Sequence, residues 1–466
     1  MQIPILNGIF TDASPDFRTS YPKNMVPVPK STGISAGYLR PAEGVVELGT
    51  GPGINRGGVY WKGYLYRVMG TKLVSIASDN TVTEIGDVGG TDRVTFDYGF
   101  TYLAIASNNN LFLYDGTTLT QVTDPDLGTV LDVVWVDGYY MTTDGEFLVV
   151  TDLSDPFAVN PLKYGSSEAD PDPINALLKL RNEVYALNRN TIEVFDNVGA
   201  TGFPFQRIAG AQIQKGCVGT HACCVFMENI AFLGGGRNEA PSVYLGANGN
   251  AQKIATREIE EILQEYTETE LSQSFLEERI DSAHMHLIIH LPRHTLVFDG
   301  AATQALSAPV WFTLSSALTG QAKWNADTCI WAFDRWNVAH ASTTQFGYLD
   351  STVSTHWGNV VGWEFGTLIV YNNGQGAIFH DIELVSLTGS TAFGVDPTIW
   401  TQYSVDGDTW SVEKPIRAGK TGERNKRLMW FQQGHMRNMR MQRFRGTSDA
   451  HVAVAALEAR VEPLAF

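Results

Sequence analysis

The chain is 466 residues long, 44% hydrophobic and 18% charged, which is long enough for more than one core and too apolar for a disordered polypeptide. A formal charge of −17 argues against attraction to DNA phosphates or anionic lipid as its main business, and four cysteines are too few to staple a chain of this size. No basic segment leads into an apolar stretch at the start and no long apolar run follows, so neither signal peptide nor membrane span is predicted and a reducing, aqueous compartment is expected.

Residues 1–55 are interrupted by Pro15, Pro22, Pro27, Pro29, Pro41 and Pro52, which predicts an extended N-terminal arm leaning on other surfaces. From 56 to 355 short apolar strands recur, anchored at Leu73, Leu111, Leu148, Ile192, Val243, Leu296 and Phe346, at spacings of 37 to 53 residues. Two copies are clear: Tyr64-Leu65-Tyr66-Arg67-Val68 turning through Gly70-Thr71-Lys72 into Leu73-Val74-Ser75-Ile76, and Tyr102-Leu103-Ala104-Ile105-Ala106 turning through Asn108-Asn109-Asn110 into Leu111-Phe112-Leu113-Tyr114. A repeat of several strands every 40 to 50 residues is the pattern of a β-propeller, whose blades each cover the apolar face of the next. Six or seven blades fit. Asp115-Gly116, Asp144-Gly145, Gly249-Asn250 and Asp299-Gly300 stand where hairpins should close.

One stretch breaks the β pattern. Ile259, Ile262, Leu263 and Tyr266 fall on one helical stripe, and Thr267-Glu268-Thr269-Glu270 reads as a capping box, so a helical pair is expected within 256–281. It packs either on the rim of the disc or on a neighbouring subunit. Beyond about 355 the repeat is lost but alternating strands continue through Leu368–Tyr371, Ile382–Val385 and Ala453–Ala455, which predicts a β-sandwich over 356–466. The fold class is therefore all-β: a β-propeller of six or seven blades with a short helical insertion and a C-terminal β-sandwich.

Within the sandwich, 414–445 carries ten basic residues against the single acid Glu423. Arg424, Lys426, Arg427, Arg437, Arg440, Arg443 and Arg445 are the candidate subunit interface, since a basic patch on an acidic protein can meet acidic surfaces of other subunits. A solvated strand face is the other reading, because Arg440 and Gln442 alternate with Met439 and Met441.

The search for chemistry returns little. Gly419-Lys420-Thr421 lacks the upstream glycine of a phosphate-binding loop. Ser404-Val405-Asp406-Gly407-Asp408-Thr409-Trp410 resembles the Asp-box of sialidase-type propellers, a structural turn rather than a catalytic device. His284, His286, His290 and His294 are closely spaced, but Pro292-Arg293 reads as a turn that parts the last two, and ordinary strand histidines are expected rather than a metal site. Cys217, Cys223 and Cys224 form no paired hook and read as buried apolar cysteines. No catalytic residue, cofactor or metal is predicted.

Several strings, in order and spacing, point to a family. They are Asn24-Met25, Pro29-Lys30, Gly37-Tyr38-Leu39-Arg40 and Tyr66-Arg67-Val68; then Gln214-Lys215-Gly216, Ala240-Pro241-Ser242-Val243-Tyr244, Ile262-Leu263 and Tyr266-Thr267. Most specific is Leu287-Ile288-Ile289-His290-Leu291-Pro292-Arg293-His294 with Leu296-Val297-Phe298-Asp299. Across about residues 20 to 300 the chain resembles the packaged-DNA stabilisation proteins of short-tailed bacteriophages. The resemblance implies a structural protein of the virion tail, made in the host cytoplasm and not an enzyme. It further implies a homohexameric ring, or nozzle, below the portal and adaptor that retains packaged DNA and forms the ejection conduit. The implied partners are the adaptor, tail needle and tailspike proteins, with DNA passing through the lumen without sequence-specific binding. A propeller-fold tail protein that binds or degrades glycans is the alternative; release of sugar from host polysaccharide would separate the two.

Overall fold

All seven anchor residues lie in the third strand of a four-strand antiparallel meander, where both faces are covered and an unbroken apolar run is the stable choice. The computed structural model describes residues 1–11, 17–30 and 32–464. Among these, six four-stranded sheets and one of five strands form the seven blades. Blade one comprises Asn55–Trp61, Tyr64–Met69, Lys72–Ile76 and Val82–Asp87; blade two Thr95–Tyr98, Leu103–Ser107, Asn110–Tyr114 and Leu119–Gln121; blade three Asp132–Val136, Tyr139–Thr143, Phe147–Val150 and Gly165–Ser166. Blade four comprises Ile174–Leu180, Glu183–Asn188, Ile192–Asn197 and Phe205–Arg207; blade five Cys223–Phe226, Asn229–Gly235, Ser242–Ala247 and Asn250–Lys253, with Gly216–Cys217 added to its second strand; blade six Phe275–Asp281, His284–His290, Thr295–Asp299 and Trp311–Leu314. Blade seven takes Ala326–Ala332, Arg335–His340 and Gln345–Asp350 from late in the chain, and its fourth strand, Gly44–Thr50, from the beginning. The first strands of successive blades touch in order, and the seventh returns to the first, so the disc is closed.

The seam is tight. In blade seven Gly44 stands opposite Asp350 and Thr50 opposite Gln345, and a Cβ on Gly347 would lie 2.1 Å from the Val46 carbonyl, so only glycine admits this strand. Next to it the buried Arg67 of blade one donates to Asn55 Oδ1 and to the carbonyls of Thr328 and Asn337 in blade seven, each at 3.1 Å. Asn55 in turn donates to Asp327 at 2.8 Å. A guanidinium without water needs such partners, and here they bridge the first and last blades.

The helical insertion is shorter than 256–281. Helix α1 (Arg257–Gln264) buries Ile259 and Leu263, and α2 (Glu268–Ser272) starts on a complete capping box between Thr267 and Glu270. From Phe275 the chain is already the first strand of blade six. Asp299-Gly300 is not a hairpin turn: Asp299 accepts the Ala302 N–H at 3.1 Å and caps a third helix, α3 (Gly300–Leu306), before the last strand of that blade. Aspartate followed by glycine serves a cap as well as a turn.

Residues 1–55 are stitched into both bodies. Gln2–Ile3 and Tyr38–Pro41 pair with Ala453–Pro463, Met25–Val28 extends that sheet, and Ile3, Ile5, Met25 and Leu39 join the sandwich core. The rest of this sheet is Ala377–Leu387 and Leu428–Phe431; the facing sheet runs Gly362–Gly366, Met439–Thr447, Thr398–Ser404, Lys414–Arg417. Phe365 stacks on Phe444 at 5.3 Å between them. Among the described residues no helix is long and apolar enough to cross a membrane.

Candidate functional site

The basic segment is dispersed by the sandwich. Its strands fall in both sheets, and carboxylates distant in sequence meet four of its ten charges. Arg427 forks onto Glu383, with Nε 2.7 Å from Oε1, and Arg445 onto Glu413 at 2.6 Å. Arg443 lies 2.5 Å from Glu364 and Arg417 3.0 Å from Asp396, while Lys426 sits 3.9 Å from Glu423. Glu383 holds Arg427, and Glu413 holds Arg445, above the usual guanidinium range through these bonds.

Arg440 is not on the surface at all. It is 1% exposed, donates to the Gln433 carbonyl at 2.6 Å and to Gln442 Oε1 at 3.0 and 3.3 Å, and lies 3.8 Å over the Tyr403 ring and 4.3 Å over Phe379. Burial brings its pKa down to about 10. An interface reading of Arg440 is thereby corrected, because both faces of the Met439–Thr447 strand are covered at that point. Of the seven candidates, Arg424 and Arg437 are exposed and without an ion-pair partner among the described residues. They stand near opposite ends of Ala377–Leu387: Arg437 follows His435–Met436, which pairs with Ala377 and Ile378, and Arg424 lies in the loop tied to Gly389 through Gly422. Of the seven candidates these two are thus separate cationic points rather than parts of one patch.

The axis of the propeller offers a second place to look, one with no local sequence signal because every blade contributes to it. First-strand residues and the loops before them line an open cleft of about 270 Å³, among them Arg93, Asp132, His221, Cys223, Phe275 and Cys329, and a wider space of about 630 Å³ adjoins it at Arg93 and His221. Spaces of that size are no passage for a duplex. Arg93 lies 3.4 Å over the Phe275 ring and bonds Asp327 at 3.2 Å and Thr328 at 2.8 Å. Burial pushes Asp132 up to about 7, against N–H bonds from Leu177 at 2.7 Å and Val133 at 2.9 Å that favour its anion. Both of its oxygens are committed, so Asp132 joins blade three to blade four. All four cysteines are free thiols.

The Asp-box-like string is a capped turn: Asp406 Oδ1 accepts the N–H groups of Asp408 at 3.0 Å and Thr409 at 2.9 Å, and Ser404 bridges to Trp410. The four histidines part company. His290 bonds Glu277 at 2.7 Å, His294 meets Tyr266, and His284 and His286 converge on Asp299.

His356, just before the sandwich begins, is 3% exposed and its Nδ1 hydrogen-bonds with Ser316 Oγ at 2.9 Å; burial lowers its pKa from 6.5 to about 4. Between those two values the unfolded chain takes up a proton that the folded chain refuses. Stability present above pH 6.5 is therefore lost on acidification, by about 3 kcal/mol across the window for this group. Urea unfolding at pH 6.5 and pH 4 should show His356→Gln losing about that much less than the wild type; equal losses would contradict the assignment.

Two family models divide the chain where the structure does. Residues 1–354 match the β-propeller of bacteriophage P22 Gp10, and residues 362–462 match its β-sandwich. The chain belongs to the P22 Gp10 family. The tail hub protein gp10 of Salmonella phage P22 is 29% identical over 488 aligned positions, covering 99% of each protein. As a Gp10-family member the chain is a structural protein of a phage tail. Likeness to solved propellers is weaker: the Pan2 WD40 domain of Neurospora crassa is 10% identical with a TM-score of 0.41, over 66% of this chain and 94% of that one. BamB from Moraxella catarrhalis is 7% identical with a TM-score of 0.37, over 66% and 97%. Neither score carries an argument. For Gp10-family chains the geometry shifts attention from chemistry inside the disc to contacts around it.

Proposed function

We propose that six copies of this chain form the nozzle ring below the portal and adaptor, retain the packaged genome, and carry the needle and tailspike proteins. The observation that carries this reading is the end-to-end match to a tail hub protein through both bodies. The structure supports it in two ways. The space at the axis of the disc, between residues such as Arg93, Asp132, His221 and Phe275, is too small for a duplex, so the ejection conduit is the space between copies and not the hole of one propeller. The disc and sandwich are also stitched by the N-terminal segment, which suits a block that must transmit load. A ring built from copies each carrying −17 repels phosphate, so DNA slides rather than sticks.

Closed rings need heterologous contacts, and Arg424 and Arg437 are cations free to make them on an acidic neighbour. Purified protein added to an extract of tail-less heads should restore genome retention and infectivity. Arg424→Glu with Arg437→Glu should cut that restoration by roughly tenfold. Its melting should stay within about 0.5 kcal/mol of the wild type, as for exposed unpaired sites. Full restoration by the double variant would remove both residues from the contact, and no restoration by the wild type would overturn the proposed role.

A further inference from the structure

The second hairpin of blade six places three metal-ligating groups together in a buried position. His284 and His286 are two residues apart on one strand and so share a face, and Asp299 on the next strand is the direct cross-strand partner of His286. His284 Nδ1 lies 2.5 Å and His286 Nε2 3.5 Å from the same oxygen, Asp299 Oδ2, and the three ligand atoms all lie within 4.8 Å of one another. All three residues are at most 4% exposed.

Two details point to an ion rather than to a plain hydrogen-bonded trio. Asp299 is already oriented from behind: its Oδ1 accepts the N–H groups of Ala302 at 3.1 Å and Met285 at 3.3 Å, which leaves Oδ2 aimed at the imidazoles. Backbone donors that fix a carboxylate in this way are the usual support of a metal ligand. His286 Nε2, in turn, has no hydrogen-bond partner although it is buried. At 3.5 Å Asp299 Oδ2 leaves the His286 ring unsatisfied, and an unpaired buried nitrogen is costly.

We propose that His284 Nδ1, His286 Nε2 and Asp299 Oδ2 bind a divalent transition-metal ion, zinc being the best match to two imidazoles and a carboxylate. A fourth position is available to water. Beside His286 there is a void of about 20 Å³, lined also by Glu43 and Arg279, which is room for one molecule. Glu43 and Asp281 both pair with Arg279. With Arg40 and Asp299 included, the neighbourhood holds three carboxylates and two guanidinium groups, a net negative setting that favours a cation. The site has no opening to substrate, so the ion is structural: it ties the hairpin to α3 through Asp299.

The test uses the full-length protein refolded with Zn²⁺ and then passed over a chelating resin, with metal measured by elemental analysis. The wild type should retain about one ion per chain and release it on unfolding, as a site formed only by the fold requires. Asp299→Asn keeps the cap on α3 but loses the anionic ligand, and His286→Ala loses a nitrogen; each should hold less than about a tenth as much. Refolding with Co²⁺ should give visible ligand-field absorption in the wild type that is absent in Asp299→Asn. If both variants fail to fold, the wild-type content and the cobalt spectrum decide alone. Retention below about half an ion per wild-type chain, or equal retention by a folded variant, would overturn the proposal.

Discussion

A chain lacking residues 1–50 should show no cooperative unfolding transition and should elute as aggregate. The deletion removes the fourth strand of blade seven, leaving the edge of Gln345–Asp350 unpaired, and takes three strands from the sandwich sheet. Ile3, Ile5, Met25, Val26, Leu39 and Val45, each at most 4% exposed, leave the cores with it. At roughly 1.5–3 kcal/mol per buried side chain the loss is on the order of 10–15 kcal/mol, as large as the 5–15 kcal/mol by which whole domains are stable. Deleting only residues 1–20 spares the blade seam and removes Ile3 and Ile5, so the monomer should fold with its stability reduced by about 3–6 kcal/mol. Urea unfolding followed by tryptophan emission distinguishes the cases. A sharp transition near the wild-type midpoint for the longer deletion would show that the disc closes without its first strand.

Arg440→Glu should destabilise the sandwich by about 4 kcal/mol, the scale for an uncompensated buried charge. The new carboxylate would face the Gln433 carbonyl and Gln442 Oε1, two acceptors, and would exchange a cation for an anion over the rings of Tyr403 and Phe379. Arg440→Met keeps much of the volume and should cost about 2 kcal/mol, chiefly for the acceptors left unpaired. Arg437→Glu, at an exposed position just past the His435–Met436 strand, should change stability by less than about 0.5 kcal/mol. Chemical denaturation of the three variants orders them. An Arg440→Glu chain as stable as Arg437→Glu would mean that the guanidinium is not held as described.

What the sequence revealed followed from burial pattern. The third strands of the blades could be read because both their faces are covered, so Leu73, Leu111 and their counterparts stand in apolar runs. The capping box at Thr267 was equally local. What escaped was long-range. Gly44 pairs with Asp350 across some three hundred residues, and no local signal marks Gly44–Thr50 as the strand that closes the disc and makes seven blades. The pairing of charges in 414–445 was hidden for the same reason, since the counter-ions Glu364 and Glu383 come from other strands and Asp396 from a loop. Alternation along Met439-Arg440-Met441-Gln442 suggests an open face on the arginine side, but Arg440, Gln442 and Phe444 form the buried set, while Met439, Arg443 and Arg445 are half-exposed. The histidines needed register: only the pairing of His286 with Asp299 separates the two that converge from the two that do not.

The central claim is that these copies enclose the conduit between them while each disc stays shut. An averaged cryo-electron microscopy map of this protein bound to a portal–adaptor assembly measures it directly. Six copies around one lumen, with no channel through any propeller, is the expected result. A lone copy, or a ring whose open path runs through the axis of a disc beside Asp132 and Phe275, would contradict it.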